Sequence, residues 1–356
     1  MASSSQVRTP GRVVTFGEAM IRLTPPRNER LDRTISLDIT IGGAELNVAV
    51  ALACLNTPVS YVSVLPDTGL GRNILRQARA NNVDTTDLLM VPESAGRTGA
   101  YFLEEASDPR PSAVLYDRAE SAFARSEPGT FDWPAILDGA AALHICGITP
   151  AVGPGPRAET ITAMDAARRL GIPVFFDLNY RSKLWTEEDA RICFQEIIEH
   201  VDVLFASRSG LRTFYDIESD NFAHAMELAL EKYQLKAIAL TRKKGRASRN
   251  LTLRSYALSA DNVLVDGGWR DAEVVDRLGG GDAFAADSSP DSPRSRTICS
   301  GACNLDRRRA RSSTPCPATS SAPRAPKSKP PSASGSAESF SADGTRHRRP
   351  GPNRSA

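Results

Sequence analysis

The sequence predicts an α/β fold: a doubly wound, mostly parallel sheet in three layers, a small β lid, and a disordered C-terminal tail. Three observations predict it. Short apolar runs rich in Val, Ile and Phe alternate with helical patterns of ten or more residues, as in a parallel sheet covered on both faces. Hairpin-like stretches near residues 20–40 and 98–118 interrupt that alternation and suit a lid. The alternation stops after Ala286. The expected divisions are a flexible N-terminus over 1–11, one folded domain over 12–286, and a low-complexity tail over 287–356.

Each element has its own warrant. Val13 to Phe16 reads as a buried strand entering a turn at Gly17. From Gly42 the pattern turns helical, with Leu46, Ala49, Val50, Ala53 and Cys54 at three- and four-residue spacing and Pro58 beyond the end. Val59–Val64 is a strand and Gly71–Asn81 a helix. Gly99–Tyr116 alternates as a hairpin does. Leu143–Cys146 and Val174–Asp177 are buried strands separated by a helix over Glu159–Leu170. Helices over Glu187–His200 and Asn221–Tyr233 precede strands at Val203–Phe205 and Ala237–Leu240.

The 356 residues suit one large α/β domain or two small ones. The net charge of +2 hides a split: 13 basic and 5 acidic residues in 287–356, against 31 and 37 before it. No apolar run resembles a signal peptide or a membrane span, which predicts a cytoplasmic chain without membrane contact. Cys54, Cys146 and Cys193 lie among apolar neighbours, as buried reduced thiols do.

Three segments carry chemistry. Gly42-Gly43-Ala44-Glu45-Leu46-Asn47 places two glycines at a helix start, where exposed N–H groups attract polar oxygens. Asn47, one turn in, can bond a sugar hydroxyl; an ordinary capping turn is the plainer alternative. Leu278-Gly279-Gly280-Gly281-Asp282 opens a helix with a glycine run, which makes an anion cradle from backbone N–H groups and the helix dipole. An aspartate directly after it can take a proton from an attacking hydroxyl. The spacing matches neither a dinucleotide fingerprint nor a Walker loop. Asp177-Leu178-Asn179-Tyr180-Arg181 clusters polar groups just past a buried strand, where such sheets bind ligands. Arg181 can grip a carboxylate in a bidentate pair; a structural Asp/Arg pair is the alternative.

Together these segments resemble the PfkB (ribokinase) family of carbohydrate kinases from about Val13 to Ala286. Gly17–Pro25, Leu115–Ala122, Gly147–Pro150 and Asp177–Trp185 are similar to the 2-keto-3-deoxygluconate kinase branch. The resemblance implies a ribokinase-like fold, ATP and Mg²⁺, and a sugar-acid substrate. It implies Asp282 as catalytic base and Gly279, Gly280 and Gly281 as the anion hole. Gly43, Asn47, Tyr101, Tyr116, Arg118 and Arg181 would hold the keto-acid, and Arg242, Gly279 and Gly281 the nucleotide; no protein-held metal site is expected. Two copies can associate through the lid. A fructokinase- or ribokinase-like specificity, or a non-catalytic domain with a basic arm, are the other readings.

The chain departs from the family in two places. Family members carry Asn-x-x-Glu where this chain has Ser207-Arg208-Ser209-Gly210, which bears on magnesium and phosphate. The family also continues past the aspartate with two helices and a closing His-x-x-Pro-Gly-Asp-Phe motif. Joining the last base of each tail codon to the first two of the next, Ser313–Ser320 can read His-Ala-Met-Pro-Gly-Asp-Phe. The residues from Ala286 can likewise read Gly-Leu-Leu-Ser-Gly-Leu-Ala. The reading is a single-base deletion near Asp287, which sequencing the coding DNA decides. On that reading the basic tail and its Cys299, Cys303 and Cys316 are accidents of GC-rich codons rather than a nucleic-acid arm or zinc site. The expected consequences are a helix too short to persist behind Gly281, an exposed apolar face on the last strands, low activity and aggregation.

Overall fold

The computed structural model describes residues 9, 11–26, 29–106, 110–244, 250–273 and 278–287. Residues 1–8 and the tail from 288 onward, with the reading-frame expectation, lie outside the described residues. The chain opens with β1 (Val13–Phe16), β2 (Met20–Thr24), β3 (Asp38–Gly42), α1 (Ala44–Cys54), β4 (Val59–Pro66) and α2 (Gly69–Ala80). It continues with β5 (Leu88–Val91), β6 (Ala100–Glu104), β7 (Ala113–Asp117), α3 (Trp133–Leu137), β8 (Ala142–Cys146) and α4 (Pro154–Leu170). Then come β9 (Val174–Asp177), α5 (Glu187–Ile197), β10 (Val203–Ala206), α6 (Arg208–Tyr215), α7 (Phe222–Tyr233) and β11 (Ala237–Lys244). The last described elements are β12 (Asn250–Ser259), β13 (Leu264–Asp266), β14 (Arg270–Glu273) and α8 (Gly280–Asp287).

The large sheet runs β13-β12-β11-β10-β9-β8-β1-β4-β5, with β14 beside β12. From β5 through β11 neighbouring strands are parallel, and β12 turns antiparallel to β11. Alternating side chains divide the core between the two faces. Val14, Phe16, Leu143, Ile145 and Phe176 pack on the α4–α5 side. Val13, Ala142, Phe175, Val203 and Phe205 face α1 and α8. Strands covered on both sides carry unbroken apolar runs because neither face meets water. The second sheet, β3-β2-β6-β7, is the lid expected from the two interrupting stretches.

Local chemistry sets the helix starts. Thr68, Thr186, Ser207 and Asn221 each accept a backbone N–H as N-cap of α2, α5, α6 and α7. Helix α4 starts at Pro154, earlier than the expected Glu159, because proline is well suited to the first turn. Glu159 is itself buried, accepting from Thr130 N–H at 2.8 Å and from the Trp133 indole.

Two expectations are corrected. Behind Gly281 a helix does persist: α8 spans eight residues because it begins at Gly280 and packs on α1. Its Ala285 and Ala286 are buried and Phe284 meets Phe205 edge-on at 6.0 Å, so tertiary contact offsets the nucleation cost that defeats an isolated turn. On the last strands Ala239 and Ala257 are buried, whereas Leu264 of β13 is 45% exposed. Cys54, the last residue of α1, is exposed, whereas Cys146 and Cys193 are buried. Among the described residues no helix is long and apolar enough to cross a membrane.

Candidate active site

The chain leaves β1 toward β4 on one side and leaves β8 toward β9 on the other. A crevice therefore opens past the carboxyl ends of β1 and β8, the place where open parallel sheets bind ligands. The first turn of α1 and the head of α8 converge there. Asn47 donates from Nδ2 to Oδ2 of Asp282 at 2.8 Å, a contact between residues 235 apart in sequence. Gly279 has φ +84°, a left-handed conformation that glycine adopts freely, and this lets the chain turn into α8. Around Gly280 and Gly281 an added Cβ would meet nothing within 4 Å, so space remains beside the helix N-terminus for an anion.

The site is rich in carboxylates and poor in cations. Asp282 is buried, and burial raises its carboxyl to about 6; Asn47 opposes the shift, the charge of Glu45 adds to it, and Arg181 opposes it. Asp177, half-buried at the end of β9, is raised to about 7 by burial and then by Asp282, with the Asn179 N–H and Arg181 pulling the other way. Carboxyls whose proton affinity is raised toward neutral pH are stronger bases than an ordinary aspartate, and in their ionised form can accept a proton from a hydroxyl. Asn179 holds φ +30°, and its N–H reaches Asp177 Oδ1 at 3.3 Å.

The lid supplies the opposite wall. Tyr101 and Tyr116 face each other across β6 and β7 with ring centroids 5.9 Å apart, and Leu278 packs against that cluster. Gly42 is glycine for space: a Cβ there would fall 2.3 Å from the Tyr101 hydroxyl. At Gly43 it would fall 2.5 Å from the Glu18 carbonyl oxygen, so this glycine serves the packing of α1 on the chain before β2. Arg118 is buried, and its Nε donates to Glu18 Oε2 at 2.7 Å in an ion pair, while Ser121 donates to the other oxygen at 2.5 Å. Its guanidinium is thus held by Glu18, and Arg181 is the arginine that interacts with Asp177 and Asp282.

A cavity of about 470 Å³ extends from this point along the ends of β9, β10 and β11, lined among others by Asp177, Ser207, Ser209, Thr241, Gly281 and Phe284. Thr241 lines it, whereas Arg242 next along β11 stacks over Phe222 and Trp269 at 5.2 and 5.4 Å. Ser207 caps α6 by accepting from Gly210 N–H at 3.0 Å. A Cβ on Gly210 would lie 2.4 Å from Leu178 Cδ2, so Leu178 occupies the space a side chain would need. A larger depression of about 750 Å³ beside Arg212, Asp216 and Lys232 contains none of the residues above. Sequence reading passed over Glu45 and Thr241; a buried acid in a first helical turn and a threonine at a strand end carry no signal of their own.

Comparison with known proteins bears on the same span. The pfkB family carbohydrate kinase profile matches residues 11–286. A 2-dehydro-3-deoxygalactonokinase of Haloferax volcanii is 36% identical over 272 residues, covering 76% of this chain and 81% of the relative. A fructokinase of Klebsiella pneumoniae is 27% identical over 285 residues, covering 78% and 82%. The crystal structure of a 2-dehydro-3-deoxygluconokinase from Thermotoga maritima superposes with a TM-score of 0.75 at 32% identity, over 83% of this chain and 94% of that one. The chain belongs to the pfkB family of carbohydrate kinases, which are phosphotransferases.

Proposed function

We propose that the protein transfers the γ-phosphoryl group of ATP to a hydroxyl of a 2-keto-3-deoxy sugar acid, 2-keto-3-deoxygluconate giving its 6-phosphate. The observation that carries this reading is the Asn47–Asp282 hydrogen bond at the mouth of the glycine-lined helix start. The names of the Haloferax and Thermotoga relatives support the substrate class. The nucleotide supplies the phosphoryl group and leaves as ADP. The sugar oxygen bonds to phosphorus as the bond to the bridging oxygen breaks, and the hydroxyl proton passes to Asp282. Asn47 keeps that carboxylate aimed, and the N–H groups at Gly279, Gly280 and Gly281 face the charge developing on the transferred group. Arg181 takes the substrate carboxylate, and Tyr101, Tyr116 and Gly43 shape the lid side, where Arg118 acts through Glu18. Arg242, on the strand that carries Thr241, belongs to the nucleotide side.

Among the described residues no group of three His, Cys, Asp or Glu side chains is arranged to hold a metal ion. Magnesium, where the nucleotide brings it, would be held mainly by the phosphates of ATP and few protein groups. With Ser207 capping α6 and Leu178 against Gly210, this reading includes lowered turnover. Exposed Ile39 and Leu115 on the lid's edge strands support association of two copies there.

The test is a substrate panel with ATP and magnesium, read by ADP release. Turnover on 2-keto-3-deoxygluconate above fructose and ribose, lost in Asp282→Asn, is the expected result. The Klebsiella relative gives fructose a specific claim, and preference for fructose would replace the keto-acid reading. Undiminished turnover in Asp282→Asn would remove the base.

A further inference from the structure

We propose that Glu45 is a positioning residue for phosphoryl transfer: its buried carboxylate locks the crevice between β1 and β8 and sets the charge against which Asp282 works. The inference rests on the reading of Asp282 as the base. Glu45 is the second residue of α1 and only 1% exposed. Its Oε1 accepts from the Cys146 N–H at 3.1 Å, at the end of β8, and from the hydroxyl of Thr149, three residues further on, at 2.5 Å. The backbone of Gly17, just past β1, approaches so closely that a Cβ there would lie 2.2 Å from the carboxylate carbon. One side chain thus joins α1 to the two strands that border the crevice.

Burial raises the carboxyl of Glu45 above its ordinary value, while the Thr149 hydroxyl and the Cys146 N–H favour its ionised form. When ionised, with no cation among those partners, its charge is felt strongly at neighbouring groups. Those groups are Asp282 from α8, Asp177 from β9, Cys146 from β8 and Tyr61 from β4, each raised chiefly by burial and further by the charge of Glu45. Arg181 is the cation acting on the two aspartates. Two residues along the same helix, Asn47 holds Asp282. Helix α1 therefore delivers opposed influences to one carboxyl: a hydrogen bond that orients it and a charge that strengthens it as a base. A general base works best when its proton affinity lies near the working pH. A purely architectural role for Glu45 would leave the proton affinity of Asp282 unchanged.

The test is a carboxyl titration of the full chain, labelled with carbon-13 at the aspartate side-chain carboxyls and followed by NMR. The Asp282 signal is assigned by its loss in Asp282→Asn. In Glu45→Gln it should titrate lower by about half a pH unit or more, and the acid limb of kcat/KM should move with it, about threefold in rate below the midpoint. Thr149→Val strips the hydroxyl that favours ionised Glu45 while leaving its carboxyl in place. It should move Asp282 in the same direction, and it carries the test if Glu45→Gln does not fold. An unmoved Asp282 midpoint in a folded variant overturns the proposal while leaving the base reading intact. Undiminished turnover in Asp282→Asn removes the base reading, and this inference with it.

Discussion

Replacing Asp282 with Asn should make the protein more stable at alkaline pH and nearly inactive. The carboxyl sits at about 6 instead of 3.8, chiefly because burial disfavours its charge. Its folded value is the higher one, so the stability it contributes is complete below pH 3.8 and is lost as pH rises through about 6. A displacement of roughly two units at about 1.4 kcal/mol each makes about 3 kcal/mol the upper limit of that loss. Asn avoids the charge and keeps an oxygen that can accept from Asn47. The variant should therefore melt several degrees higher than the parent near about pH 8 and at the same temperature near about pH 4, given about 2 °C or slightly more per kcal/mol. Turnover should fall by about 10²- to 10⁴-fold, the usual cost of losing a general base. Thermal melts at both pH values and a coupled ADP assay read the two effects. Activity within tenfold of the parent would refute the base assignment, and a pH-independent change in melting temperature would refute the burial argument.

Other perturbations separate the remaining groups. Asn47→Ala removes a hydrogen bond to a charged group, worth about 1.5–3 kcal/mol, and should lower kcat by about 10- to 100-fold in steady-state kinetics. Arg118→Met leaves the Glu18 side chain, 2% exposed, buried without its cation; denaturant unfolding should show a loss of about 3–5 kcal/mol, largely recovered in the double variant with Glu18→Gln. His144, buried beside Phe205, titrates at about 4 instead of 6.5. Because its folded value is depressed, the stability it contributes is present above pH 6.5 and lost as pH falls through about 4, by about 3 kcal/mol in all. Asp177 and Asp282 act in the opposite sense over that window, so the measurement is the difference in unfolding free energy between parent and His144→Leu across it.

Much of the fold was legible because helices and buried strands impose periods of 3.6 and 2 on local sequence. The strands from Val13 to Leu240 and the lid hairpin at Ala100–Asp117 stand close to their expected positions. Strands β5, β13 and β14 and helices α3 and α6 were missed, being three to eight residues long and too short to show a clear period; the ten-residue β12 was missed too. Helix α8 was undervalued because its stability comes from α1 and not from its own length. At the site, Asn47 and Asp282 could be named separately from the glycines that precede them. Arg118 reads the same in sequence whether it faces a ligand or Glu18, and the buried partner decides between them.

Sequence alone determined most of the alternation of strands and helices and the glycine run ahead of Asp282, since these depend on backbone conformation and side-chain period within a few residues. The tertiary structure decided which charges share the crevice: that Asn47 reaches Asp282, that Glu45 and Asp177 stand beside it, and that Arg118 belongs to Glu18. The strand order places β1 next to β8 and α1 against α8 across long stretches of chain. Electrostatic coupling depends on distance and burial in space, which no local pattern encodes.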